Sequence, residues 1–347
     1  MVAALASLPF AGAVDAQSTL APRRPTGAGR IVRAFDFEEI KTNPGAVPRY
    51  WFRAQDNPEY GAPRPGFPHW NRASIVYADE GSVTVSGEGS IRLPTAGGST
   101  SLVLESGVIP IFRQADYFVS GNVLTEGLFF AHGCIAARFL DASGTPVPGT
   151  ERRSELVQTV APGGPETIDP WQEIGVVLVG DQEAAAYIQI ELLLLQPEQA
   201  SPASGGERPV WRQDVSGSVW FDEVAVVQLP RVELTTNAPG NVAVSKDPPA
   251  LSMAVRDLTG DELKIEVRVV DSWGVERDRL ERMLGGGATE NTWTPSLTSF
   301  GWYRAVMDIV GADGRVGGAF ADFVWIPPKA EVEQPIARLV AGRATAR

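Results

Sequence analysis

Apolar and polar residues alternate with a period of two through most of the chain. In "CIAARFLDASGTPV" the alternation sets Ile135, Ala137 and Phe139 on one face before Asp141–Gly144 turns the chain back. "IVRAFDFEEI" alternates around Phe35 and Phe37, and "SVTVSGEGSIRL" predicts two short strands about a turn. "DYFVSGNVLTEGL" separates Tyr117, Val119 and Val123 from Phe118, Ser120 and Asn122. "WQEIGVVLVGDQEAAAYIQIELLLL" predicts two longer strands joined by an acidic turn, and "SGSVWFDEVAVVQLPRVEL" one more. No long amphipathic helix interrupts residues 31–230, so the pattern predicts an all-β protein whose first domain is a β-sandwich.

A second unit is expected over residues 231–327. "LKIEVRVVD" sets Leu263, Ile265, Val267 and Val269 against Lys264, Glu266 and Arg268, and "GWYRAVMDIVGADGRVGGAFADFVWI" predicts a hairpin around Asp313-Gly314. Strands at this spacing over this length fit a smaller immunoglobulin-like sandwich without its disulfide. Residues 1–16 are small and apolar and end in Val14-Asp15-Ala16, which resembles the core and cleavage site of a secretory signal, so the expected location is secreted, periplasmic or cell-surface. Residues 17–30 then form a linker, and residues 328–347 a second linker or the start of a further domain. The longest apolar run, "IELLLLQP", is far short of the ~20 residues of a membrane span.

Composition narrows the chemistry. The formal net charge is −12 and no basic cluster is present, which argues against a nucleic-acid partner. The single cysteine, Cys134, has no partner for a disulfide or a zinc site and reads as a small buried side chain. Two histidines, His69 and His132, are too few for a His-based metal cluster, and neither sits in a triad-like motif.

Residues 43–70, "NPGAVPRYWFRAQDNPEYGAPRPGFPHW", break the pattern: six prolines, dense aromatics and no period. Aromatic richness favours an ordered loop packed on the sandwich. Tyr50, Trp51, Tyr60 and Trp70, with Arg53, Gln55, Asp56 and His69 between them, supply flat rings and hydrogen-bonding groups of the kind that bind a sugar. The competing reading makes these rings core. Trp51 and Tyr60 are the pair expected to stand exposed.

The adjacent acids Asp222 and Glu223, in the middle of an apolar strand, could be a catalytic acid, a metal ligand or an outward-facing solvated pair. "FDFEE", "DYFVSGNVLTEGL" with "ARFLDASGTPV", "DPWQEIGVVLVG" with "AAAYIQIELLLL", and "GSVWFDEVAV" resemble the jelly-roll, galactose-binding-like carbohydrate-binding modules of secreted bacterial glycoside hydrolases. "TPSLTSFGWYRAVMDI" resembles the immunoglobulin-like modules that stand between such domains and a catalytic barrel. The resemblance implies first and last strands side by side, with a structural calcium held there by an acid of each; matched to this chain, these are Glu38 and Asp222. Calcium takes six to eight oxygens, which adjacent strands can supply. The remaining reading of Asp222 is a turn cap or a solvated side chain.

The expected function is a non-catalytic carbohydrate-binding or accessory protein, or the N-terminal portion of a larger glycoside hydrolase, with a polysaccharide as partner; the resemblance implies a catalytic domain downstream. The alternative is a structural or adhesive surface protein with no glycan ligand. A hydrolase would need two carboxylates set across a cleft, and no motif supplies them.

Overall fold

The computed structural model describes residues 30–41, 47–56, 64–77, 84–112, 115–159, 170–200, 212–285, 287–312 and 314–329, apart from the side chains of Ile40, Lys41 and Asp56. The signal-like segment, the expected C-terminal linker beyond 329 and Tyr60 lie outside these residues. The protein is all-β, and its contacts divide it into two compact units. Of the described residues, those within 30–231 and 256–261 form the first and those within 232–255 and 262–329 the second.

The first unit contains β1 (Ile31–Phe35), β2 (Trp51–Phe52), β3 (Ser74–Tyr77), β4 (Gly89–Pro94), β5 (Thr100–Leu104), β6 (Ile109–Pro110), β7 (Asp116–Glu126), β8 (His132–Leu140), β9 (Arg152–Arg153), β10 (Gln172–Leu178), β11 (Tyr187–Leu195) and β12 (Ser218–Leu229). One sheet runs β10-β7-β12-β4-β3 with β1 also paired to β12; the other runs β2-β5-β11-β8-β9 with β6 also paired to β11. Strand alternation sends one face of each sheet inward. Ile135, Ala137 and Phe139 of β8 and Ile188, Ile190, Leu192 and Leu194 of β11 meet Val119, Val123, Val219, Phe221, Val224 and Val226 of the facing sheet in one core. As expected, the first and last strands are neighbours: β1 pairs antiparallel with β12, with Phe35 opposite Val224. Segment 256–261 joins this unit through Arg30, whose buried guanidinium pairs with Asp257 at 3.1 Å and Asp261 at 2.9 Å.

The second unit contains β13 (Arg231–Thr236), β14 (Val242–Val244), β15 (Leu251–Asp257), β16 (Leu263–Asp271), β17 (Glu276–Leu284), β18 (Gly287–Trp293), β19 (Gly301–Gly311) and β20 (Gly314–Ile326). A three-stranded sheet, β13-β15-β18, and a five-stranded sheet, β14-β20-β19-β16-β17, share a core that includes Leu263, Ile265, Val267 and Val269. The β19–β20 hairpin closes with Gly311 opposite Gly314, as the turn chemistry predicts. Trp325 is core, whereas Trp302 stands partly exposed on the sheet face.

Candidate functional site

The aromatic segment divides between core and surface. Trp51, 2% exposed, sits edge-on to Phe35 and Phe37 at 5.1 and 6.0 Å between ring centroids. The expectation that it stands exposed is therefore corrected: β2 is an edge strand of its sheet, and its inward position takes the largest ring to close the sandwich there. Arg53 Nε donates to Ala73 O at 2.7 Å and Gln55 Nε2 reaches Asn71 O at 3.5 Å, so both stitch the segment to residues 71–73. Asp56 ends a short 3-10 turn, Ala54–Asp56. Tyr50 is half-buried at φ 71°. Trp70 is 60% exposed, with its indole N–H donating to Ala96 O at 3.3 Å and its ring edge-to-face with His69 at 5.3 Å. Among the predicted rings in the described residues, then, Trp70 is the one held open to solvent.

Glu38 and Asp222 grip a single turn. Glu38 accepts the N–H groups of Glu88 at 2.9 and 3.1 Å and of Gly89 at 3.0 Å. Asp222 Oδ2 accepts those of Val85 at 2.8 Å and Ser86 at 3.4 Å, while its Oδ1 accepts the N–H of Glu223 at 2.7 Å. Asp222 is fully buried beneath residues 85–86, and after it a bulge before Ala225 sets Glu223 at φ 48°, where its carboxylate accepts the Ser86 hydroxyl at 2.8 Å. Burial pushes the Asp222 carboxyl up to about 6, against the pull of its amide donors. The lone pairs that calcium would need face amide hydrogens, and among the described residues no three acidic, His or Cys groups converge. This donor arrangement does not fit a calcium ion. Asp222 acts as the acceptor that ends the backbone of residues 84–86.

A site that the sequence reading missed lies on the outer face of β8 and β11. The alternation that buries Ile188 and Ile190 turns Gln189 and Glu191 outward, where they stand opposite Arg138 and Ala136. Arg138 donates Nε and Nη2 to Gln189 Oε1 at 2.8 and 2.6 Å and Nη1 to Glu151 at 3.4 Å; Arg153 reaches Glu151 at 3.5 Å. Gln189 Nε2 is anchored on Leu104 O at 3.2 Å. Residues 64–67 fold over the far end: Phe67 packs on Cys134, Ala136, Leu193 and Leu195, and Arg64 stacks 4.0 Å from the Phe67 ring and pairs with Glu191. Ala136 is too small to fill the space between these side chains, which leaves a shallow depression lined by Arg138, Glu151, Gln189 and Glu191. Cys134 lies beneath, its thiol pushed up to about 12 by burial, as expected for an inert packing residue.

Planar amide, guanidinium and carboxylate groups in fixed orientation offer paired donors and acceptors to neighbouring hydroxyls. Glu151 and Glu191 each face guanidinium groups, the reverse of the apolar surroundings that suit a general acid. The sequence signal was there: two polar residues spaced by two inside the apolar run "YIQIELLLL".

Fold and site together define an all-β protein whose first unit carries a polar groove on a sheet face. No family model matches the chain, and no curated protein matches it in sequence. Among solved structures, the CBM22-1 xylan-binding domain of Xyn10C from Paenibacillus barcinonensis superposes with TM-score 0.32 at 10% identity, over 59% of this chain and 97% of that one. The K1 cleaved adhesin domain of Lys-gingipain from Porphyromonas gingivalis W83 gives 0.32 at 12%, over 56% and 96%. Beta-glucuronidase of Bacteroides uniformis gives 0.27 at 11%, over 84% of this chain and 32% of the enzyme. Similarities this low do not assign a ligand.

Proposed function

We propose that the protein is a non-catalytic glycan-binding module that takes a polysaccharide chain across the outer face of β8 and β11. The reading rests on the strip formed by Arg138, Gln189, Glu151 and Glu191: polar side chains bonded to one another along a depression in a sheet face. Intramolecular bonds hold them in place, so little rotamer entropy is lost when a ligand displaces water. Trp70 lies in the segment that carries the Arg64–Phe67 wall and adds an exposed ring to it.

Affinity electrophoresis through a panel of soluble polysaccharides tests the reading. At least one glycan should retard the protein, and Arg138→Gln should weaken that retardation about tenfold, the equivalent of roughly 1.4 kcal/mol. Passage through every gel at the speed of an inert control, or retention unchanged in the variant, removes the proposal. In this reading the second unit, immunoglobulin-like in its two packed sheets, is a spacer toward a catalytic partner. The protein works outside the cytoplasm, for which the support is the signal-like run 1–16. N-terminal sequencing of protein recovered from the periplasm or medium should start near Gln17; recovery only from the cytoplasm would count against export.

A further inference from the structure

Tyr50 is the meeting point of two arginines. Arg33 on β1 shares a strand face with Phe35, and its guanidinium lies 5.5 Å from the Phe35 ring and 5.6 Å from the Tyr50 ring. Arg49 lies 4.7 Å from the same Tyr50 ring. The arrangement is built rather than incidental. Tyr50 adopts a left-handed backbone, φ 71°, which costs a non-glycine residue about 1 kcal/mol or more. The Tyr50 carbonyl accepts the Glu105 N–H at 2.8 Å, which fixes the residue to the end of β5. Both arginines are exposed, and neither forms an ion pair with a carboxylate among the described residues, whereas Arg64, Arg138 and Arg153 of the same unit all do.

Two guanidinium groups against one ring repel each other, and the ring face offsets that only in part, at about 0.5–1 kcal/mol for each exposed cation. In a chain of net charge −12, leaving two such cations without acid partners keeps them available for an anion from outside. An arginine fork matches a planar or tetrahedral oxyanion. The cluster also continues the groove. Gln189 is anchored on Leu104 O, and Tyr50, just before β2, is bonded to the next residue, Glu105, so Tyr50 lies two strands from Gln189 across β5, while Arg33 reaches its ring from β1 of the other sheet. Two strand spacings amount to about 10 Å, the reach of a disaccharide.

We infer that Arg33, Tyr50 and Arg49 form a second subsite, which recognises the carboxylate or sulfate group of an acidic polysaccharide whose chain crosses the groove. The inference rests on the glycan reading for its choice of ligand, and it adds residues that the groove does not use. The carboxylate and sulfate forms share the same fork-to-oxyanion chemistry and are separated by the probes.

The test is affinity electrophoresis of the wild type, Arg33→Gln/Arg49→Gln and Arg138→Gln through polygalacturonate, dextran sulfate, neutral xylan and single-stranded DNA, with thermal midpoints to show that each variant is folded. The wild type should be retained by polygalacturonate or by dextran sulfate, whichever names the group. Retention should fall at least tenfold in the double arginine variant and weaken with added salt. Arg33→Lys/Arg49→Lys, which keeps charge without the fork, should recover only part of it. Equal retention of the double variant and the wild type on both acidic polymers, or no retention on either, overturns the subsite. DNA retention that depends on Arg33 and Arg49 and exceeds that of the polysaccharides overturns the choice of ligand. Retention on xylan that needs Arg138 while both acidic polymers pass freely would sink this subsite and leave the groove standing. Acidic retention that needs Arg33 and Arg49 but not Arg138 would do the opposite.

Discussion

Arg138 directs two of its N–H groups, Nε and Nη2, at a single acceptor, Gln189 Oε1, at 2.8 and 2.6 Å. The two residues are direct cross-strand partners, so their pairing is set by the register of β8 on β11. Gln189 spends its own N–H on Leu104 O, which leaves the amide no freedom to flip. Gln189→Leu removes both connections and strands a buried carbonyl. Its urea midpoint should correspond to a loss of about 1–3 kcal/mol, and glycan retention should weaken with it. A variant as stable and as well retained as the parent would show that the guanidinium is held by something else.

Asp222 makes stability depend on pH in an unusual direction for a carboxylate. Its folded value, about 6, lies above the ordinary 3.8, so between these values the folded protein binds more protons than the unfolded chain. The stability contributed by this group is fully present below about pH 4 and is lost as pH rises through 6. The full swing is at most about 3 kcal/mol. Urea melts of the wild type and Asp222→Asn should therefore diverge with pH, with the wild type gaining on the variant as pH falls from 7 to 4. A difference that stays constant across that window would mean that the amide donors of Val85, Ser86 and Glu223 compensate the burial completely.

The turn that Glu38 and Asp222 hold has no room for a side chain at its apex. A Cβ on Gly87 would stand 2.0 Å from Glu38 Oε1, and the residue has φ 67°; Gly107, at φ 84°, has nothing within 4 Å of that point. Gly107→Ala should cost only the backbone strain, about 1 kcal/mol. Gly87→Ala must also expel the Glu38 carboxylate from its two amide donors, and about 2–4 kcal/mol is expected in a denaturant titration. Equal costs would show that Glu38 moves aside freely.

The sandwich was legible because local alternation and the long-range core agree. Ile135, Ala137 and Phe139 face inward as their spacing predicts, and β1 lies beside β12. The groove was not legible, because its meaning depends on which strands are neighbours. Gln189 and Glu191 look like faults in an apolar run until β11 is placed against β8, 51 residues away at Gln189–Arg138. The acids of "FDEV" misled for the opposite reason. Asp222 lies on the face opposite Phe221 and is buried there by the turn at 84–86, which the local pattern does not show, while the bulge and positive φ at Glu223 pass the inward position on to Val224. In the aromatic segment, composition left its rings open to either core or binding and could not say that an edge strand would draw Trp51 into the core and leave Trp70 outside.

That division between the two tryptophans separates stability from binding. Trp51→Ala removes a ring packed against Phe35 and Phe37 and should cost about 3–5 kcal/mol in a urea melt. Trp70→Ala, at an exposed position with one hydrogen bond to Ala96 O, should change stability by about 0.5 kcal/mol or less. Any loss it causes should appear as reduced retention on glycan gels. A Trp70→Ala protein that melts early but binds normally would reverse this assignment.

Calcium offers a further test of the strand junction. Glu38 and Asp222 direct their oxygens at the N–H groups of Val85, Ser86, Glu88 and Gly89, and a hard cation there would meet the positive ends of those dipoles. A ligand that binds only the folded state raises the thermal midpoint in proportion to its occupancy, so chelator and millimolar calcium should give the same midpoint. A calcium-dependent rise of several degrees that disappears in Glu38→Gln would require residues 84–89 to leave both carboxylates and expose them as ligands. Gly87→Ala, which forces the same separation from Glu38, would then be expected to lose less stability in calcium than in chelator.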